Sequence, residues 1–241
     1  MSAINRLVEE IKDDGIRLSF SVADVLRPMR SDYTFDCLVV TKLAKEWLQG
    51  WLEKRGVEYA PSENTQMPPD FYLNPNDRTT GLLEVKAFNR SASPGFDIAD
   101  FRMYAEEIIE KPYMLNVDYL IFGYDMSDDG VVTIKDLWLK KVWEITRRMD
   151  GWPLNLQVKQ NVVHKIRPGV WYSDRPGNIP MFRSLEDFIS AVEETVYQNP
   201  KTHERAASWK RNFVESYRTF YGVHLDIPRW TDIAEQYSAQ R

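Results

Sequence analysis

Glu84 and Lys86 stand two residues apart in the run Gly81-Leu82-Leu83-Glu84-Val85-Lys86. On a β-strand successive side chains alternate faces, so the acid and the amine project together while Val85 points into a core. Asp70 lies upstream, after Met67-Pro68-Pro69. Between them, Asn74-Pro75-Asn76-Asp77 and Thr79-Thr80-Gly81 read as turn residues. A chain that turns back there brings Asp70 beside Glu84. Two hard oxygen ligands on adjacent elements suit Mg²⁺. A lysine beside them can orient the attacking water, the outline of a phosphodiester-hydrolysis site. The competing reading is a solvated strand face with a Glu–Lys charge ladder.

Composition narrows the class. The chain has 241 residues, 43% of them hydrophobic, with eight tryptophans. That predicts one domain with a substantial core rather than disorder. No stretch approaches the roughly 18 consecutive apolar residues needed to span a membrane. The polar, charged stretch Met1 to Lys12 shows no secretory signal, so a soluble cytoplasmic protein is expected. The one cysteine, Cys37, excludes an intrachain disulfide and a multi-cysteine zinc site, and reads as a small core residue. The net charge of −5 argues mildly against a protein that coats DNA nonspecifically, and leaves room for a basic cleft. His164, His203 and His224 lack zinc-ligand spacing. There is no GxxxxGK[ST] phosphate loop and no GxSxG nucleophile turn.

Periodicity predicts helices over 2–14, 36–55, 97–111, 185–197 and 201–221, with 139–149 continuing helically. Strands are predicted over 57–60, 81–89, 117–124, 131–140 and 157–166, and a short element over 19–26. Helices on the faces of a mixed sheet satisfy that order, an α/β class.

Pro69-Asp70 followed by Glu84-Val85-Lys86 resembles the PD-(D/E)XK nuclease superfamily. The resemblance implies a central mixed β-sheet flanked by helices, restriction-endonuclease-like, with residues 1–241 as a single nuclease domain. It implies Asp70 and Glu84 as Mg²⁺ ligands and Lys86 at the nucleophilic water. An acid on the preceding helix would complete the set: Glu46 is the best match and Asp36 a weaker one. Chain length and the Gln157–Pro168 segment look most like a type II restriction endonuclease. A more particular resemblance, to NgoBV-type endonucleases that read GGNNCC, rests on no motif of its own. Hydrolysis of double-stranded DNA at a specific site is the function so implied. Both strands must be cut with one Asp70/Glu84/Lys86 set per chain, so a homodimer is expected.

Donor-rich segments supply candidate DNA contacts. Asn89, Arg90 and Ser91 follow the Glu84–Lys86 strand and could grip a phosphate, or form an ordinary solvated loop. Lys159, Gln160, Asn161, His164, Lys165 and Arg167 suit base edges, or line an exposed strand. Arg102 could face the same cleft, or pair with Glu106 along its helix. The basic stretch His203, Arg205, Lys210 and Arg211 beside Trp209 reads more simply as a solvated helix face. Two other functions stay open at this point: a repair or junction-resolving nuclease of the same fold, and a non-catalytic DNA-binding or interaction module.

Overall fold

The computed structural model describes residues 3–13, 20–21, 33–63, 67–128, 131–173 and 177–239. Side chains before residue 39 are described only over 4–13, so Asp36 and Cys37, as side chains, lie outside them. So does most of the element expected over 19–26; residues 20–21 are a strand. Contacts divide the chain into two compact units.

The first unit comprises residues 1–65, 69–96 and 117–140. Its elements are α1 (Ala3–Asp13), β1 (Phe20–Ser21), α2 (Tyr33–Lys54), β2 (Ala60–Pro61), β3 (Phe71–Tyr72) and β4 (Leu82–Asn89). With β5 (Ala99–Asp100) belonging to the other unit, β6 (Asp118–Met126) and β7 (Val131–Lys140) complete it. The six-stranded sheet runs β1-β7-β6-β4-β3-β2. Only the β4–β6 pair is parallel among its ladders.

Val40, Ala44, Leu48 and Leu52 recur at i, i+4 spacing along α2 and are fully buried. This is the apolar stripe of a helix laid on a sheet. Together with Ile4, Leu7, Val8 and Ile11 of α1, that stripe packs on Leu83, Val85, Ala87, Leu120 and Phe122. Val85 therefore points into the core, and Glu84 and Lys86 project from the opposite side of β4, as strand alternation requires.

The second unit holds 66–68, 97–116 and 141–241. Its elements are β5, α3 (Phe101–Glu110), a 3₁₀ turn (Pro112–Asn116), α4 (Val142–Ile145), β8 (Leu156–Lys159), β9 (Val162–Ile166), α5 (Leu185–Gln198), α6 (His203–Tyr221) and α7 (Trp230–Ile233), the last followed by a 3₁₀ turn over Ala234–Tyr237. Its sheet runs β5-β9-β8.

Several element boundaries differ from the sequence expectation. The helix expected from 97 begins at Phe101, because Ala99 and Asp100 pair with Ile166 and Lys165 of β9. Asp100 is then its N-cap, its Oδ1 accepting from the Met103 N–H at 3.1 Å. The helix expected over 139–149 shrinks to Val142–Ile145. Beyond it, Arg147 bridges to Met181 and Met149 to Trp152. The distant Arg147–Met181 pairing is invisible to local periodicity, and Met149–Trp152 is a tight local turn. The strand expected over 157–166 is a hairpin whose two turn residues, Gln160 and Asn161, adopt φ of 51° and 60°. It contains neither glycine nor proline, and Asn161, which tolerates the left-handed region, is its one turn signal.

Candidate active site

Strand β3 is only two residues long, so the edge of β4 beyond it has no strand partner. Side chains take its place. The Val85 N–H donates to Asp70 Oδ2 at 2.8 Å, and the Ala87 N–H donates to Thr41 Oγ1 at 3.0 Å. The Asp70 N–H in turn donates to the Leu83 carbonyl at 2.9 Å, which fixes the aspartate to the strand from both its backbone and its side chain. The loop from 73 to 81 turns the chain back to make this possible. The Leu73 N–H donates to the Gly81 carbonyl at 2.8 Å. The Asp77 carboxylate accepts from the Thr79 N–H and the Thr79 and Thr80 hydroxyls. Gly81 has φ of +64°, and a Cβ there would stand 3.1 Å from the Asn74 nitrogen, so glycine is needed.

The two carboxylates are each matched to an ammonium. Lys86 Nζ lies 2.8 Å from Glu84 Oε1, with the two side chains 16% and 7% exposed. Lys45 of α2 forms an ion pair with Asp70 Oδ1. Burial pushes the Glu84 carboxyl above the usual range and the Asp70 charge adds to that, while Lys86 and Lys45 pull it back. A solvated ladder would not be buried, so the surface reading of Glu84–Lys86 loses its premise.

The expected acid on the helix is placed differently. Glu46 is exposed on α2, whereas Lys45 reaches Asp70. One helical residue rotates the side chain by about 100°, so the two cannot share a face. Thr41 and Lys45, four apart, do share one. Neither was singled out in the sequence. The signal that could have found them is helical phase: both border the buried stripe Val40-Ala44-Leu48. Among the described residues no group of three or more His, Cys, Asp or Glu side chains is gathered for a metal.

The model of a family described as NgoBV restriction endonuclease matches residues 34–237. The chain belongs to the NgoBV restriction endonuclease family. It is 68% identical over 199 residues to the type II restriction enzyme NlaIV of Neisseria lactamica, covering 83% of this chain and 82% of that one. It is 60% identical over 122 residues to the type II restriction enzyme NgoBV of Neisseria gonorrhoeae, covering 51% and 69%. A solved structure of an NlaIV restriction endonuclease superposes with a TM-score of 0.81 at 67% identity, over 84% of this chain and 82% of that one. The mixed α/β fold expected from the sequence is therefore that of its relatives. Of the functions left open, site-specific cleavage of double-stranded DNA is the one this membership supports.

The residues expected to touch DNA fall into engaged and disengaged groups. Asn89 is buried, and its Oδ1 accepts from the Ser91 N–H and hydroxyl at 2.9 and 2.7 Å, building the turn after β4. The Arg90 guanidinium pairs with Asp136 at 2.6 Å and lies over the Trp138 ring. Ser91 is exposed. In the second unit, Arg167 pairs with Asp97 at 2.6 Å and Lys165 with Asp100 at 3.7 Å. Lys159 and Gln160 are exposed and His164 is half-buried. Glu106, one of the two alternatives considered for Arg102, instead pairs with Arg205 of α6. Trp209 is buried, its Nε1 donating to the Ala105 carbonyl at 2.8 Å, so this stretch of the restriction endonuclease packs α6 on α3.

Proposed function

We propose that this restriction endonuclease uses Asp70, Glu84 and Lys86 as its hydrolytic set, with Asp70 and Glu84 holding Mg²⁺. The observation that carries the reading is Asp70 fastened to the N–H of Val85, the residue between Glu84 and Lys86. The fit to a hard divalent cation rests on the donor chemistry: two carboxylates on adjoining elements, held together against their mutual repulsion by two ammonium groups. When bound, the cation supplies Lewis-acid stabilisation at the scissile phosphate and a more acidic water. Lys86 holds the nucleophilic water or offsets charge as it develops on the phosphate. Lys45 positions Asp70. Glu46, exposed one residue further on, stands outside this set. The active species is a homodimer working in the cytoplasm, where double-stranded DNA is its substrate.

Incubating the purified protein with a large plasmid tests this directly. Mg²⁺ or Mn²⁺ should give discrete fragments, and Ca²⁺ should support binding with little turnover, because it takes more ligands at longer distances. Undiminished cutting in excess chelator would remove the metal from the reading.

A further inference from the structure

We propose that the tip of the β8–β9 hairpin, Gln160 and Asn161, reads base edges in the major groove and so sets sequence specificity. The inference rests on the DNA-cleaving function above and assigns a role within it.

Three observations converge on this tip. First, the turn is a tight two-residue connection: Lys159 pairs directly with Val162, leaving Gln160 and Asn161 between them. Both have left-handed φ, 51° and 60°. A hairpin turn of this kind favours Asn-Gly, because glycine adopts the conformation at no steric cost. Glutamine at the first position and asparagine at the second keep two side chains where folding alone favours a shorter one. Second, the charge around the tip is one-sided. From residue 151 to residue 173 the chain carries Lys159, Lys165 and Arg167 and no aspartate or glutamate, although acids outnumber basic residues, 36 to 31, in the whole sequence. Asp97 and Asp100 pair with Arg167 and Lys165 lower on the hairpin, so the unbalanced charge is left at Lys159, which is exposed like the two tip residues. Third, the ladder is irregular next to the tip. Gln157 pairs with Lys165 and Val158 with Val163, so His164 is the extra residue of a β-bulge. A bulge bends and twists a ribbon, and re-aims the side chains around it.

The physical consequence is a narrow two-stranded ribbon with a cationic flank and two exposed amides at its end. The major groove, roughly 12 Å wide, admits a two-stranded β-ribbon. Each amide offers one acceptor and two donors, the mixed pattern that a base-pair edge presents there. A phosphate clamp would use cations at the tip instead, and here Lys159 sits one residue back from it.

The test exploits opposite signs. Replacing Gln160-Asn161 by Asn-Gly supplies the preferred turn, so the thermal midpoint should hold or rise. Cleavage at the site the wild type itself cuts should nevertheless fall at least about tenfold, the lower range for losing a bidentate base contact. Discrimination against sites differing by one base pair should shrink with it. A double variant with the wild-type fragment pattern and the same cognate-to-mismatch ratio overturns the proposal. An equal loss at all sites with a shallower salt dependence also overturns it, because that is the signature of a lost phosphate contact. The parallel variant Lys159→Ala supplies that signature for comparison. A wild type that cuts discretely beside an unaltered tip variant refutes this inference alone, whereas a wild type that cuts no DNA refutes the hydrolytic assignment as well.

Discussion

In the proposed hydrolytic set, Lys86 is the side chain whose loss should separate chemistry from binding. Its ammonium sits 2.8 Å from Glu84 on the same face of β4. Lys86→Ala should lower single-turnover cleavage by roughly 10²-fold or more, the usual scale for a positioned electrostatic group. Gel-shift affinity should fall little, since its phosphate contact is one among many. Near-wild-type cutting would remove the central assignment. A second contrast concerns α2. Lys45→Met keeps the stem and removes the charge that faces Asp70, so cleavage should drop by about tenfold or more, equivalent to losing ~1.4 kcal/mol at the transition state. Glu46→Gln, on the exposed neighbouring position, should leave the rate within about threefold, under ~0.7 kcal/mol. Steady-state rates of the two variants side by side check this, and the reverse order would restore Glu46 to the site. The Glu84–Lys86 pairing was legible because strand alternation is a local rule. The Lys45–Asp70 pair was not, because it joins a helix to a loop through a tertiary contact that no local pattern encodes.

At the scale of elements, β4 is stabilised by side chains of the proposed site and its neighbouring helix. Asp70 and Thr41 supply the acceptors that a longer β3 would have supplied to Val85 and Ala87. A buried N–H left without a partner costs about 1–3 kcal/mol. Thr41→Val keeps the shape and deletes the acceptor, so it should lower the thermal midpoint by about 2–4 °C per kcal/mol lost in a chain of this size. It should also slow cleavage, because the end of β4 bearing Lys86 is then less firmly held. An unchanged midpoint in differential scanning calorimetry would mean that water satisfies the Ala87 N–H. The long elements were legible for the reason that makes them stable: α2 has a continuous apolar stripe, and β4 and β6 are apolar runs bounded by turns. The short ones were not. Strand β3 is two residues long, and residues 146–152 are shaped by one bridge to the distant Met181 and a tight turn between Met149 and Trp152.

At the scale of the whole molecule, the chain's contacts gather into two units whose segments alternate along the sequence. The expected hydrolytic set, Asp70, Glu84 and Lys86, lies entirely in the first, and the Gln160–Asn161 hairpin in the second. On the proposed assignment, each chain brings one set of carboxylates to a duplex that has two strands to cut. Two-fold symmetry is the economical solution: an isologous dimer presents two equivalent sites to a two-fold symmetric sequence, one per strand. Light scattering at working concentration should then report a dimer with cognate DNA bound, and a strict monomer with and without DNA counts against the arrangement. Mixing gives a sharper version of the same test. When wild type and Lys86→Ala are mixed in varying ratio at constant total protein, dimers of one active and one inactive subunit should cut a single strand, so nicked plasmid should accumulate in place of linear fragments. If each chain cut both strands alone, the mixture would yield linear product in proportion to the wild type present, with no rise in nicked circles. Accumulation of nicks that peaks at an equal mixture is the expected outcome, because that is where mixed dimers are most numerous.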